Sequence, residues 1–239
     1  MGLTRRQALA ASMGAILLAS GCKSQQAANR HRPGIDWPEG YPARPTPGGR
    51  HTTLHTPPHI HTPPTPPPAN PAGVQAIARA RWSTDGPVLA DINPMNGIQK
   101  ITIHHEGSRA VDFTAFNTTA QHLDKIRKSH VNNNGWSDIG YHYIVDRAGR
   151  VWEGRATRYQ GAHVGRNNEN NLGVMALGNF DRQSPTQQQL NALFDTVKKL
   201  KQQHRIPRAS VKSHQEIRPT ACPGRNLQRH MDALRRYVG

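Results

Sequence analysis

Ser213-His214-Gln215-Glu216-Ile217-Arg218-Pro219-Thr220-Ala221-Cys222-Pro223-Gly224 reads as a loop bounded by prolines, with a histidine at its head and a cysteine near its end. Val211 to His214 reads as a short strand leading into it. A second histidine, His104, ends an alternating run from Ile98 (IQKITIH) that also has the period of a strand. Two imidazoles and one thiolate suit zinc, with a fourth position left for water. Zinc tolerates mixed nitrogen and sulfur donors and has no redox chemistry of its own. Each residue also has a plainer use. A histidine at a strand end can be structural, and a lone cysteine can be a small buried hydrophobe. The separation of His214 from Cys222 is no standard zinc spacing.

Outward from this loop the pattern alternates strands with helices. Residues 74–82 (VQAIARARW) read as a short helix or turn. Asn117 is placed to cap a helix through His130, with Leu123, Ile126 and Val131 on one face, and the NNNG run at 132–135 stops it. Tyr141–Asp146 and Val151–Glu153 flank a turn and predict a hairpin. Leu172–Leu177 (LGVMAL) is nearly continuous in apolar residues, as a buried central strand would be. Ser184-Pro185 supplies a capping hydroxyl and a first-turn proline for a long helix carrying Leu190, Leu193, Phe194, Val197 and Leu200. Leu227, Met231, Leu234 and Val238 mark a closing amphipathic helix. The fold class is α/β: a central mixed sheet flanked by helices.

The 213–224 stretch resembles the SHRDVxxTxCPG signature of the peptidoglycan recognition protein and N-acetylmuramoyl-L-alanine amidase superfamily. Other segments match that family in order. Ile103-His104-His105 resembles its IHH, and Gly135 to Tyr143 (GWSDIGYHY) resembles GWxDIGYHF. Val151 to Arg155 resembles VYEGR, Gly161-Ala162-His163 resembles GAH, and Leu172-Gly173 through Gly178-Asn179-Phe180 resembles the SIGI…GNF strand. Arg81-Trp82 also suits the family's opening segment, so the likeness runs from about residue 79 to 226.

The resemblance implies zinc ligands His104, His214 and Cys222, with His105 turned to the other face of the strand. It implies Tyr141 as a catalytic tyrosine and Thr220, at a position that is threonine in recognition-protein amidases and lysine in some phage amidases, as a second catalytic-site residue that either protonates the leaving amine or, the favoured reading, serves as a positioning group. The reaction implied is hydrolysis of the amide between the muramic acid lactyl group and L-alanine. Gly135-Trp136 matches a pair that accompanies preference for diaminopimelate at the third stem residue, although Trp136 also serves as ordinary packing. His163 and Arg166 are candidate contacts to peptide or sugar, while His142 and Asn171 read equally as polar neighbours. Glu106 replaces the small residue usual after the paired histidines; a continued strand would put it on the His104 face and near the metal, but the favoured reading is an exposed loop glutamate. The cysteine pair that animal recognition proteins carry near the first helix is absent, so their disulfide is not expected.

The N-terminus adds context. Arg5 and Arg6 precede an apolar run from Ala8 to Ser20, the pattern of a twin-arginine export signal, and Leu18 to Cys22 (LASGC) resembles a lipobox. Cys22 would then be lipidated and anchor the chain to a membrane facing the periplasm or cell wall. A disulfide with Cys222 is the competing use of Cys22. Residues 23–73 are rich in proline and histidine and carry little to bury, which predicts a disordered, extended tether. The domain plan is therefore signal 1–22, linker 23–73 and amidase domain 74–239.

Lys and Arg number 31 against 15 Asp and Glu, a formal charge of +16. Residues 76–239 keep 24 basic and 13 acidic groups, so the folded part is itself cationic. Anionic cell wall, acidic lipid and nucleic acid all satisfy that charge. Export and the lack of a basic stripe interleaved with aromatics exclude nucleic acid. The expected partners are peptidoglycan or muropeptide and, through Cys22, a membrane; the domain is expected to be a monomer. A non-catalytic wall-binding module is the main alternative, and a zinc peptidase cutting within the stem is another.

Overall fold

The computed structural model describes residues 73–239. The export segment, lipidation at Cys22 and nearly all of the linker lie outside the described residues. Five strands form one sheet: β1 (Lys100–His105), β2 (Tyr143–Val145), β3 (Val151–Glu153), β4 (Asn171–Ala176) and β5 (Val211–Ser213). Four helices accompany them: α1 (Phe116–Asn132), α2 (Gln187–His204), α3 (Arg225–Gln228) and α4 (Met231–Val238). The strand order is β3-β2-β4-β1-β5. β4 runs parallel to both of its neighbours, β5 is parallel to β1, and only the edge strand β3 is antiparallel. The expected mixed sheet flanked by helices is thus observed.

β4 is buried along its whole length, which its apolar run requires. Alternation along β1 divides the core in two. Ile101 and Ile103 join Val174, Ala176, Val197, Leu200 and Leu234 on the face covered by α2 and α4. Met175, Leu177, Ile144 and Trp152 meet Leu123 and Ile126 of α1 on the other. Thr102 and His104 alternate onto this second face. Gly173, paired with Thr102, makes room there for the His163 ring, whose Cδ2 a Cβ at this position would meet at 2.6 Å.

The β2–β3 turn is pinned by one buried carboxylate. Asp146 accepts from the backbone N–H groups of Ala148 and Arg150, from Arg150 Nε at 2.7 Å and from Trp152 Nε1 at 2.8 Å. Gly149, at φ +80°, closes the turn, and a Cβ there would meet the Gln188 carbonyl at 2.8 Å. The free edge of β3 is covered by the N-terminal stretch, where Ile77 and Val151–Glu153 exchange backbone hydrogen bonds. Arg79 then clamps this stretch down, donating to both carboxylate oxygens of buried Asp138 at 2.8 and 2.9 Å and to the Gly154 carbonyl at 3.0 Å.

Three helix boundaries differ from the sequence reading. α1 begins at Phe116, so Asn117 lies in its first turn, and Thr119 Oγ1 donates back to the Ala115 carbonyl instead. α2 begins after Thr186, whose hydroxyl accepts from Gln189 N at 3.1 Å; Ser184-Pro185 only leads up to this cap. The closing helix breaks at 229–230 into α3 and α4. No helix of the described residues is long and apolar enough to cross a membrane.

Candidate metal centre

Parallel pairing of β1 with β5 brings Ile103 beside Ser213, and so His104 beside His214. A short 3-10 turn at His214–Glu216 then redirects the chain, with a capping box in which Glu216 accepts from Ser213 N at 2.8 Å. The loop returns so that Gln215 N donates to the Cys222 carbonyl, closing a tight ring of backbone. One ligand atom each from His104, His214 and Cys222 then lies within 4.8 Å of the others, and all three residues are buried. Nδ1 of His104 is 3.5 Å from Cys222 Sγ. Nδ1 of His214 is buried with no hydrogen-bond partner, an orphan that a bound cation would satisfy. The donor set fits a metal ion with nitrogen and sulfur preference.

Burial, followed by the neighbouring imidazoles of His163, His214 and His105, holds the pKa of His104 well below its ordinary value. The ring is therefore neutral and keeps a lone pair. Tyr141 lies against it, with ring centroids 5.2 Å apart. A row of rings continues away from the cluster: Tyr141 to His130 at 5.9 Å, and His130 to Trp136 at 4.5 Å. Burial and then Arg155 push the pKa of His130 down to about 3, and its Nδ1 accepts from Gly140 N at 3.1 Å. Gly135, at φ +67°, turns the chain from the end of α1 into Trp136. Nε1 of Trp136 is buried without a partner among the described residues.

Thr220 Oγ1 accepts from Cys222 N at 3.2 Å and so braces the loop that carries the thiol. His105 does face the other side of the sheet, where its Nδ1 accepts from Phe180 N at 3.1 Å. His163 is buried, and both of its ring nitrogens are engaged within the protein, 3.0 Å from His104 Nε2 and 3.1 Å from the Asn171 carbonyl. Arg166 is exposed, in left-handed backbone, outside this cluster.

Glu106 corrects the sequence reading. Its side chain is only 8% exposed and lies 3.1 Å from His122 Nε2 of α1, with Ser108 Oγ donating at 2.5 Å. Continued pairing beyond β1, seen in the Glu106 N to Ala176 carbonyl hydrogen bond, keeps Glu106 on the His104 face and turns it toward α1. Its partner His122 carries no signal in the sequence beyond its place on the inward side of α1.

The family model for N-acetylmuramoyl-L-alanine amidase matches residues 94–225, more than half of the chain. Peptidoglycan-recognition protein SD of Drosophila simulans is 30% identical over 157 residues, spanning 64% of this chain and 82% of that protein. N-acetylmuramoyl-L-alanine amidase of Homo sapiens is 31% identical over 137 residues, 56% of this chain and 23% of its own length. Among solved structures, that of Drosophila peptidoglycan recognition protein SD aligns with a TM-score of 0.61 at 27% identity, covering 66% of this chain and 94% of the other.

Proposed function

The chain belongs to the N-acetylmuramoyl-L-alanine amidase family, and from that premise we propose that it is a zinc-dependent hydrolase that cuts the lactyl–L-alanine amide of peptidoglycan. The observation that carries the proposal is the convergence of His104, His214 and Cys222, with their ligand atoms within 4.8 Å, beside the ring of Tyr141. A module that only docks on the wall needs no such donor set. The presence of all three donors and the phenol together favours hydrolysis.

His104, His214 and Cys222 would hold the metal. Bound zinc supplies Lewis acidity and lowers the pKa of water to about 7. Tyr141 provides a hydroxyl donor for the negative charge that develops on the carbonyl oxygen; such a donor is worth roughly 3–4 kcal/mol in the transition state. Burial of the three donors keeps bulk water away and strengthens these interactions. Thr220 holds the Cys222 loop in place through its hydrogen bond to Cys222 N.

The substrate would be of the diaminopimelate type. Gly135-Trp136 sits at the far end of the ring row that reaches His104, and the surplus of basic residues suits an additional substrate carboxylate. Peptidoglycan lies outside the cytoplasm, which fits the export signal at 1–22 and anchoring through Cys22. Digestion of purified diaminopimelate-type muropeptides tests the reading. Mass spectrometry should find intact stem peptide with a free L-alanine amine and sugar without peptide. Cleavage within the stem, or no cleavage by zinc-loaded protein, would overturn it.

A further inference from the structure

We infer that His163 is a positioning residue: it fixes the tautomer and orientation of His104 so that Nδ1 of His104 faces the metal beside Cys222. The inference rests on the metal-centre reading above, and its test separates the two.

Proton counting gives the direction of the relay. The Asn171 carbonyl can only accept, so Nε2 of His163, 3.1 Å away, carries a proton. A neutral imidazole has one N–H, which leaves Nδ1 of His163 as an acceptor. Nε2 of His104, 3.0 Å from that nitrogen, must then be the donor. His104 is left with a lone pair on Nδ1, the atom 3.5 Å from Cys222 Sγ. The His163 ring is buried, with the His142 ring set edge-on at 5.8 Å.

The surroundings are built to hold His163 in place. A Cβ on Gly161 would come within 2.3 Å of its Cδ2, and one on Gly173 within 2.6 Å, so two glycines form the slot for the ring. Asn168 Oδ1 accepts from the backbone N–H groups of His163 and Val164 at 2.9 and 2.8 Å. Asn171 is itself fixed, its side chain bonded to Thr102 Oγ1 and the Asn167 carbonyl at 2.9 and 2.7 Å. His142, on the far side, donates to the Tyr159 carbonyl and accepts from Gly173 N. Partners of this kind behind a ligand histidine raise metal affinity typically 10–100-fold.

The test uses the full chain, with and without zinc. Long-range 1H–15N NMR of the metal-free protein should show His104 as the Nε2–H tautomer; an Nδ1–H tautomer would overturn the inference, whatever the metal does. Zinc affinity, measured by competition with a chromophoric chelator, should fall about 10–100-fold in His163→Phe. His163→Gln, which keeps an acceptor and a donor, should recover most of that loss. A folded His163→Phe that binds zinc as tightly as the unsubstituted chain would contradict the inference. Failure of the unsubstituted chain to bind zinc, with the Nε2–H tautomer intact, would sink the metal-centre reading and leave the relay standing.

Discussion

Cys222 Sγ and His104 Nδ1 lie 3.5 Å apart although 118 residues separate them in sequence. The contact joins strand β1 to the loop after β5. Closing so long a loop has a large entropic cost, and a metal bound only by the folded chain would offset part of it. Metal loading should therefore stabilise the domain. Zinc content should be near one per chain and fall to near zero in Cys222→Ala. Chelation should lower the Tm of the unsubstituted chain and leave that of Cys222→Ala unchanged, as differential scanning fluorimetry would report.

Tyr141 lies against His104 with ring centroids 5.2 Å apart, and the proposed hydrolysis assigns it the role of oxyanion donor rather than metal ligand. Tyr141→Phe should retain full zinc content and lose about 10²–10³-fold in kcat, the usual consequence of removing one donor to a developing oxyanion. Steady-state kinetics beside metal analysis would check this. Parallel loss of zinc would show a structural role instead.

The His104, His214 and Cys222 cluster was legible through the family resemblance of the 213–224 loop and of Ile103-His104-His105; the residue spacing alone left plainer uses open, and His105 does turn to the other face. β4 and the β2–β3 hairpin were legible from their apolar patterning, which has only one use. What escaped the sequence depends on distant partners. Glu106 looks like a loop residue until α1 delivers His122 to it. His163 reads as a candidate contact to peptide or sugar, and its packing against His104 emerges only once Gly173 of β4 leaves a slot for its ring. Helix starts were misread where a neighbouring hydroxyl won the competition, as Thr186 did over Ser184.

Arg79 and Asp138 tie the N-terminal stretch to the segment after α1 through a bidentate pair, with Asp138 at 1% exposure. Asp138 also faces Arg127 Nε at 3.3 Å, so removing its carboxylate strands the buried Arg127 guanidinium, 7% exposed, as well as the partly exposed Arg79. Asp138→Ala should cost about 3–5 kcal/mol in urea unfolding. A loss below about 1 kcal/mol would mean that the clamp is solvated and weak.

His130 gives the fold a pH dependence. Its pKa is pushed down to about 3 in the folded chain, against 6.5 for the free side chain. Between these values the unfolded chain binds the extra proton, so unfolding becomes easier as the pH falls. The neutral ring's contribution is complete above pH 6.5 and is lost progressively toward pH 3. The slope from this group approaches about 1.4 kcal/mol per pH unit. His130→Asn keeps an acceptor for Gly140 N but cannot titrate, so urea melts from pH 7 to 4.5 should show a shallower decline in the variant. Equal slopes would mean that His130 is protonated in the native state.

Zinc K-edge X-ray absorption on the purified, zinc-loaded chain measures the coordination shell itself. One sulfur at about 2.3 Å together with nitrogen or oxygen donors at about 2.0–2.1 Å is the predicted shell, with the sulfur lost in Cys222→Ala. A shell of nitrogen and oxygen alone in the unsubstituted protein would contradict a centre built from His104, His214 and Cys222.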